Sequence, residues 1–336
     1  MSAKRPVDIK RDSGMSFEVG TLEEGVTEAM VEIDDSLYII KPKAIYALQT
    51  ADQIDRNRTN IHLPKVVTRQ VFTIGSESEI AGKILLTAIS LLDKGNFVRD
   101  GVNTKQAISL SLETLSTVVA MQTIAADFDA AQHDAYEKAA ALRRAGDAAQ
   151  QPFLGDVKSR CKSFMQQADH AVGALLEVVR LFYPEIKKTP WDSLREKIGH
   201  EIGEGNQFTK FLDQAVPFFK LVRNTRDCLE HKNSKGVVVK DFEVQPDGQL
   251  HPPTIEVNFR ESQHPVIAVS AFMSGVITSI ANGFEMVLVH LCNANTRPSP
   301  AFPVYIDMPT ESRRRWKHVR FYFGTRFGDG DFVPIG

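Results

Sequence analysis

The sequence predicts a mainly α-helical protein with an inserted β-hairpin and extensions at both ends. Apolar residues recur at three- and four-residue steps over 157–182, which is typical of one buried helix face. Residues 265–293 form a long, strongly apolar run, which predicts a second core helix. Between these helices, residues 242–259 alternate with a period of two around turn residues, and this pattern predicts a hairpin.

The order of these patterns along the chain predicts three segments. We expect an N-terminal extension over 1–75, a helical domain over 76–293 with the β-hairpin inserted at 236–260, and a C-terminal tail over 294–336. Residues 1–20 are polar and interrupted by glycine, so we expect them to be poorly ordered.

Three stretches need a local interpretation. The stretch 37–55 predicts a short strand followed by a helix that begins near Pro42. The stretch 61–75 is rich in β-branched residues, and we expect a loop there. The helical run from about residue 207 to residue 231 contains Pro217, which either kinks the helix or begins a second one.

Composition and charge narrow the class of protein. The chain has 336 residues, of which 43% are hydrophobic and 24% are charged, as is typical of a soluble globular protein. The formal net charge of −2 gives no overall attraction to nucleic acid or membranes, so a polyanion site must be a local patch. Cys161, Cys228 and Cys292 lie far apart, which favours free thiols in a reducing cytoplasm.

The N-terminus lacks the apolar region of a signal peptide. The uncharged run 266–284 contains several serine and threonine residues and an asparagine, so it predicts a buried core helix rather than a membrane span.

Signatures of metal and cofactor sites are absent from the sequence. No two of the nine histidines lie with cysteines or carboxylates at metal-ligand spacing, so we expect no metal ion. There is no GxSxG or GxGxxG, and Glu204 occupies the position of the second histidine that HExxH would require after His200. We therefore expect no cofactor.

The segment RDCLEH, residues 226–231, places charged residues and a histidine at the end of a predicted helix. Asp227 and His231 are four residues apart and share a helix face, whereas Arg226 lies about 140° around a regular helix from His231. The arginine and the histidine therefore converge only if the last turn unwinds or if a second copy of the chain supplies the partner. A histidine transfers protons near neutral pH, and an arginine binds phosphate with a planar cation. Together they suit metal-free phosphodiester cleavage, with the histidine acting on a ribose 2′-OH or the leaving oxygen and the arginine stabilising the phosphoryl charge.

An ordinary helix end explains the same residues. Arg226 and Glu230 have the spacing of a surface ion pair, which contributes about 0.3–0.5 kcal/mol. His231 in a last turn interacts favourably with the helix dipole. Spacing alone leaves both interpretations open.

The segment also resembles the signature motif of the HEPN superfamily. That motif has an arginine, usually a polar residue next, and a histidine after four to six intervening residues. Arg226, Asp227 and His231 match it with four intervening residues. The context is similar as well, because long helices precede the motif and one apolar helix follows it. An overlapping match that begins at Arg223 has seven intervening residues, more than the pattern allows, and the sequence does not decide which arginine is used.

The resemblance implies a HEPN-like up-and-down helical bundle and a metal-independent endoribonuclease that acts as a homodimer. Two facing motifs would form one composite site, in which the arginine and the histidine come from different chains. The separation of about 140° between them on one helix would then not prevent them from meeting. Arg226 and His231 would be catalytic, Asp227 would orient one of them, and Glu230 would assist. Such proteins act as toxins, in phage defence or in RNA processing. The resemblance therefore implies RNA and a cognate protein as partners, and no association with a membrane. The alternative is a non-catalytic interaction or RNA-binding module, because other members have lost activity.

A basic and aromatic segment over 312–327 is a second candidate for RNA contact. With Arg223, the predicted RNA-binding residues are Arg313, Arg314, Arg315, Lys317 and Arg320. Aromatic residues lie between these cations, and the combination suits phosphate contact and base stacking. An edge strand that packs its aromatic residues inward and leaves its arginines in solvent explains the segment equally well.

Overall fold

The computed structural model describes residues 4–93, 97–143, 150–187, 190–231, 235–246, 249–300, 302–327 and 330–335. About 50% of the chain is helical and 18% lies in strands, and the described strands form four sheets. The prediction of a mainly α-helical, HEPN-like up-and-down bundle is therefore wrong, and the chain is a mixture of helices and sheets.

Helices and strands are numbered in chain order. The helices are α1 (Pro6–Asp12), α2 (Ala51–Ile54), α3 (Glu79–Ala81), α4 (Thr87–Leu92), α5 (Thr104–Arg143), α6 (Val157–Phe182), α7 (Pro190–Ile202), α8 (Gln207–Glu230) and α9 (Val269–Ala294). The strands are β1 (Ala29–Ile33), β2 (Ser36–Ile40), β3 (Ile45–Thr50), β4 (Val66–Phe72), β5 (Val237–Lys240), β6 (Glu243–Val244), β7 (Leu250–His251), β8 (Thr254–Phe259), β9 (Ser262–Ala268), β10 (Tyr305–Asp307), β11 (Tyr322–Arg326) and β12 (Phe332–Pro334).

The chain divides into two compact units. Unit 1 comprises Met1–Ser109 together with Thr296–Gly336, so the N-terminal and C-terminal segments belong to the same unit. Unit 2 comprises Leu110–Asn295 and contains the RDCLEH segment.

The larger sheet of unit 1 has the order β1-β2-β3-β4, with neighbouring strands antiparallel. The helix predicted to begin near Pro42 is absent, because Pro42 lies between β2 and β3 and the strand β3 follows it. The first four residues of β3 are all buried, so the alternation that identifies a strand is hidden in the sequence. The loop predicted over 61–75 contains β4.

The N-terminal helix α1 is attached to unit 1 by ion pairs. Arg11, whose side chain is only 4% exposed, pairs with Asp52 and Asp55 at 2.8 Å each. Backbone amide donors of the loop that follows α2, together with Arg11, hold the pKa of Asp55 well below its usual value. The poor order expected for residues 1–20 is therefore wrong for α1, while residues 1–3 lie outside the described part of the chain.

The C-terminal segment forms a small sheet in unit 1 with the order β10-β11-β12. The central strand β11 buries Tyr322 and Phe323, and Trp316 is buried just before it. The strand therefore lies in the middle of a sheet, not at an edge, although its aromatic side chains do pack inward.

Unit 2 is built around the helices α6, α8 and α9. The predicted helix over 157–182 is confirmed as α6, and its apolar stripe is buried against α8 and α9. The helix α7 packs against α8, and the sheet β5-β8-β9 contacts both α8 and α9. This packing fixes α8 on several sides, which is what positions the motif at its end.

The predicted β-hairpin is larger than expected. The strand β5 pairs with β8, and β6 pairs with β7 across a turn whose residues Asp247 and Gly248 lie outside the described chain. The strand β9 adds a third strand beside β8. For this reason the helix predicted from residue 265 begins only at Val269.

Two helical stretches in the described part of the chain have the length and apolar composition of a membrane span. They are Thr104–Ala140 and Val269–Ala294. In the second, 67% of the apolar window is buried inside the protein, as in a core helix of a soluble protein; in the first, 39% is buried. Length and composition alone are weak evidence for a span, and both helices are consistent with a soluble protein.

Candidate functional site

The helix α8 carries the predicted motif and continues without a break to Glu230. Asn206 caps its start, because the Asn206 Oδ1 accepts a hydrogen bond from the backbone N–H of Phe208 at 2.8 Å. Pro217 lies inside the helix, so it does not begin a second one. At His231 the backbone adopts φ −85° and ψ 115°, which is extended. The histidine is therefore the first residue beyond the helix.

Arg226 is held by three carboxylates. Its Nε and Nη2 donate to Asp169 Oδ2 on α6 at 3.1 and 2.7 Å. Its Nη1 donates to Glu230 Oε2 at 3.0 Å and lies 3.2 Å from Asp227 Oδ1. The Arg226 side chain is 26% exposed. The ion pairs with Asp169 connect α8 to α6, and the excess of negative charge around Arg226 opposes the approach of a phosphate.

Hydrogen bonds within this cluster shift the pKa values of Arg226 and Glu230. Partial burial by itself lowers the pKa of Arg226, but hydrogen bonds to Glu230 and Asp169 outweigh it and raise that pKa above its ordinary value. The pKa of Glu230 is lowered, first by a hydrogen bond from Gln166 and then by one from Arg226. Arg226 and Glu230 are therefore both charged at neutral pH.

His231 lies apart from this cluster. Its side chain is exposed, and its backbone N–H donates to the Asp227 carbonyl at 3.1 Å. Within the described ranges, no residue forms a hydrogen bond or ion pair with its ring. Arg226 lines two clefts, and His231 lines neither of them. A single chain thus does not bring Arg226 and His231 to one cleft.

The larger of these clefts, called the α8 cleft, has a volume of about 720 Å³ and lies between α6, α7, α8 and the turn after β8. Apolar side chains line part of it, including Leu176, Trp191 and Phe219. The charged lining residues are the cations Lys220, Arg223, Arg226 and Arg260 and the carboxylates Asp169, Asp192, Asp227 and Glu261. These charges balance, so the cleft has no net formal charge.

The turn between β8 and β9 delivers a further arginine to the α8 cleft. Arg260 has φ 56°, a left-handed conformation that is unfavourable for a residue with a side chain, by roughly 1–2 kcal/mol. Its Nη1 donates to Asn224 Oδ1 at 3.0 Å and to Asp227 Oδ2 at 3.2 Å. Asn224 is buried and donates in turn to the Ser262 hydroxyl at 2.9 Å. The turn is therefore fixed to the motif helix by a side-chain network.

Asp227 lies between two guanidinium groups. One of its oxygens faces Arg226 and the other accepts from Arg260, each at 3.2 Å. Asp227 therefore contacts two arginines, and its predicted role of orienting the catalytic histidine or arginine stays a prediction. No contact between the Asp227 carboxylate and the His231 ring occurs among the described residues.

Arg223 differs from Arg226 in its surroundings. It lies one turn earlier on the same helix, its side chain is exposed, and it lines the α8 cleft. No residue in the described part of the chain pairs with its guanidinium. Of the two candidate arginines, Arg223 is the one whose charge is not already balanced by carboxylates.

The other predicted RNA-binding residues lie in unit 1. Arg313, Arg315 and Lys317 are exposed, and Arg314 and Arg320 are half-buried. The Arg315 guanidinium lies 4.3 Å from the centre of the Trp316 ring. Because Trp316, Tyr322 and Phe323 are buried, they do not offer a face to a nucleobase, whereas Phe327 is 66% exposed. The segment therefore presents cations more than stacking surfaces.

Several residues of the site have no signal in the sequence. Asp169 pairs with a residue 57 positions away, and Arg260 contacts residues more than 30 positions away. Only the packing of α6 and of the β8–β9 turn against α8 brings them together. Among the residues that the structure describes, no cluster of three or more histidine, cysteine or acidic side chains is arranged to hold a metal ion.

Comparisons with known proteins leave this site to be interpreted from its own geometry. No model of a known protein family, no curated protein and no solved structure matches the chain.

Proposed function

We propose that this chain is a metal-independent endoribonuclease that acts as a homodimer through the end of α8. One observation carries the proposal: His231 is exposed just beyond α8, and no described residue binds its ring. Histidine is the side chain that most often acts as a general base or acid in catalysis. The resemblance of residues 226–231 to the HEPN motif supports phosphodiester cleavage as the reaction class.

The reaction needs one base and one acid. His231 of one copy removes the proton from a ribose 2′-OH, whose oxygen attacks the adjacent phosphorus. The bond from phosphorus to the 5′ oxygen breaks, and His231 of the second copy gives that oxygen a proton. The products are a 2′,3′-cyclic phosphate and a 5′-OH. Because each chain offers a single His231, two copies supply both roles, and a symmetric dimer is the commonest way to bring them together.

In this proposal Arg223 supplies the cation for the phosphate in place of the motif arginine Arg226, although its spacing to His231 is longer than the HEPN pattern allows. Arg226 is paired with Asp169, Asp227 and Glu230, so binding a phosphate would require it to give up those contacts. Arg226 instead stabilises the end of α8 against α6. Arg223 is exposed and has no such competition among the described residues.

A cytoplasmic location and a role as a toxin or phage-defence effector with a cognate protein partner belong to the same proposal. All three cysteines are free and buried, which supports a reducing compartment. The basic tail residues Arg313, Arg315 and Lys317 add exposed positive charge on unit 1.

A second candidate function is a non-catalytic RNA-binding or interaction module. The balanced charge of the α8 cleft favours the interaction role, because a site that binds RNA usually attracts the polyanion by a local excess of cations.

The proposed activity is tested by incubating purified protein with labelled single-stranded RNA in EDTA and analysing the product ends. We expect cyclic phosphate ends, a loss of about 10²–10⁴-fold in rate for His231→Ala, and about 10²-fold for Arg223→Gln. His200→Ala removes an exposed histidine of α7 and serves as the matched control. Cleavage by His231→Ala at the wild-type rate would contradict the ribonuclease proposal. RNA binding without cleavage would favour the second candidate.

A further inference from the structure

The conformation of Arg260 is unusual enough to need a reason. A two-residue hairpin turn in a left-handed conformation normally contains glycine or asparagine, because other residues are strained there. Arginine occupies this position with φ 56°, and its side chain extends to the motif helix. Strained residues that persist in a fold are concentrated at functional sites.

The contacts of Arg260 leave part of its guanidinium available. Both hydrogen bonds, to Asn224 and Asp227, are made by Nη1. No residue in the described ranges bonds to its Nε or Nη2. The side chain is 52% exposed and lines the α8 cleft together with Arg223. Asn224 and Asp227 therefore fix the orientation of the guanidinium, whose central carbon lies 4.9 Å from the centre of the Phe259 ring, while its other nitrogens form no hydrogen bond with a described residue.

From this geometry we infer that Arg260 is a second phosphate-contacting residue, which binds the RNA backbone with Arg223 in the α8 cleft. The inference rests on the proposed function and extends it, because it assigns a substrate contact to the inserted sheet. An arginine held by two anchoring hydrogen bonds loses little side-chain freedom on binding and can present a planar pair of donors to a phosphate.

The neighbouring charges predict how each substitution acts. Asp227 neutralises part of the Arg260 charge, and Glu261 adds an exposed carboxylate beside it. Removing the carboxylate in Glu261→Gln therefore strengthens RNA binding, whereas Arg260→Gly weakens it. Glycine tolerates φ 56° without strain, so Arg260→Gly removes the side chain while easing the backbone of the turn.

Space in the α8 cleft offers an independent variant. Gly173 lies inside α6 and lines the cleft, and a Cβ placed there would meet no atom within 4 Å. Gly173→Leu therefore extends a side chain into the cleft from a position where the Cβ has free space, and it should block the RNA backbone. Gly275 lies inside α9, is exposed and has the same free space, so Gly275→Leu is the matched control.

The test measures binding of a short fluorescent oligouridylate to the full chain over a series of salt concentrations. All variants carry His231→Ala, so that the RNA stays intact. We expect Arg260→Gly to weaken binding about tenfold and to reduce the slope of log affinity against log salt by about 0.7, the change for one lost phosphate contact with a single strand. Arg260→Lys should keep most of the slope, Glu261→Gln should raise the affinity, and Gly173→Leu but not Gly275→Leu should lower it.

The outcomes separate this inference from the proposed function. An unchanged salt slope in Arg260→Gly would overturn the phosphate contact, even if the wild-type chain cleaves RNA. A salt slope that depends on Arg260, together with a wild-type chain that does not cleave RNA in the separate cleavage assay, would support the contact and refute the ribonuclease activity. Circular dichroism of each variant identifies any loss of fold, and Arg260→Lys keeps the contact testable in that case.

Discussion

The ion pair between Arg226 and Asp169 yields the sharpest prediction about stability. Arg226→Met removes the guanidinium but keeps a long apolar side chain, and Asp169→Asn removes the partner's charge. The two variants and their combination form a double-mutant cycle, which isolates the coupling between α8 and α6.

The magnitude follows from burial and geometry. Two hydrogen bonds of 3.1 and 2.7 Å join the pair, and the side chains are 26% and 20% exposed. Exposed ion pairs contribute up to about 1 kcal/mol, and breaking a fully buried pair costs about 3–5 kcal/mol. For this intermediate burial we expect a coupling of about 1–2 kcal/mol. Arg226→Met alone should cost about 2–3 kcal/mol, because Asp169, Asp227 and Glu230 then all lose the cation that pairs with them.

The assay is urea unfolding followed by circular dichroism, with thermal unfolding as a second measurement. Unit 2 spans Leu110–Asn295, and for a unit of that size a loss of 2 kcal/mol lowers Tm by about 4–8 °C. Arg160→Met serves as the control, because Arg160 forms an ion pair with Asp156 on the surface of α6 and its side chain is 31% exposed. We expect that control to cost less than about 1 kcal/mol.

Two results would contradict this structural role of Arg226. If Arg226→Met is as stable as the wild type but no longer cleaves RNA, Arg226 acts on the substrate and its ion pairs are incidental. A coupling below about 0.3 kcal/mol would likewise show that the pair does not connect the helices.

Three further predictions concern pH and thiol chemistry. The pKa of Glu230 is lower in the folded than in the unfolded chain, so ionised Glu230 stabilises the fold above its unfolded pKa, and this stabilisation is lost as pH falls through its folded pKa. In urea titrations, the difference in free energy of unfolding between wild type and Arg226→Met should therefore shrink below about pH 4.5. Burial lowers the pKa of His290 to about 4, so protonation favours the unfolded chain. The free energy of unfolding should therefore fall by up to about 3 kcal/mol between pH 6.5 and 4, and His290→Phe should flatten this decline. NMR titration of the histidine is the direct check. Burial raises the pKa of Cys161 to about 12 and also raises that of Cys292, so a disulfide reagent should modify neither thiol in the native protein and both in urea; fast labelling of native protein would contradict the burial.

The sequence predicts the helices of unit 2 better than the sheets of unit 1, and the reason is physical. In α6 one face is buried and the other is in solvent, so a period near 3.6 is visible. In β3 the run Ile45–Leu48 is buried on both faces, which hides the period of two. The short strands of the C-terminal sheet have three to five residues, too few for any period to appear.

The candidate site is only partly predictable for a different reason. Arg226 and His231 are recognisable because they lie close together in the chain. The partners that distinguish Arg226 from Arg223 are not recognisable in the sequence. Asp169 comes from a separate helix, and its pairing depends on how α6 packs on α8. A motif identifies the residue types, whereas the state of each charge depends on contacts that only the folded chain creates.

The attachment of α1 has a consequence for how the chain can be shortened. Arg11 on this helix pairs with Asp52 and Asp55, and its ion pair with Asp55 is largely shielded from solvent, because the two side chains are 4% and 15% exposed. Salt screens such an enclosed pair poorly. A recombinant chain trimmed past Arg11 would leave Asp55 without the cation that pairs with it, while Asp52 would keep its ion pair with Arg58 at 2.7 Å. Removing residues 1–3 alone keeps Arg11 and its ion pairs, so a purification tag is best joined to Lys4 through a flexible spacer. Fragments that begin at β1 lack Arg11 and should be digested more easily by proteases.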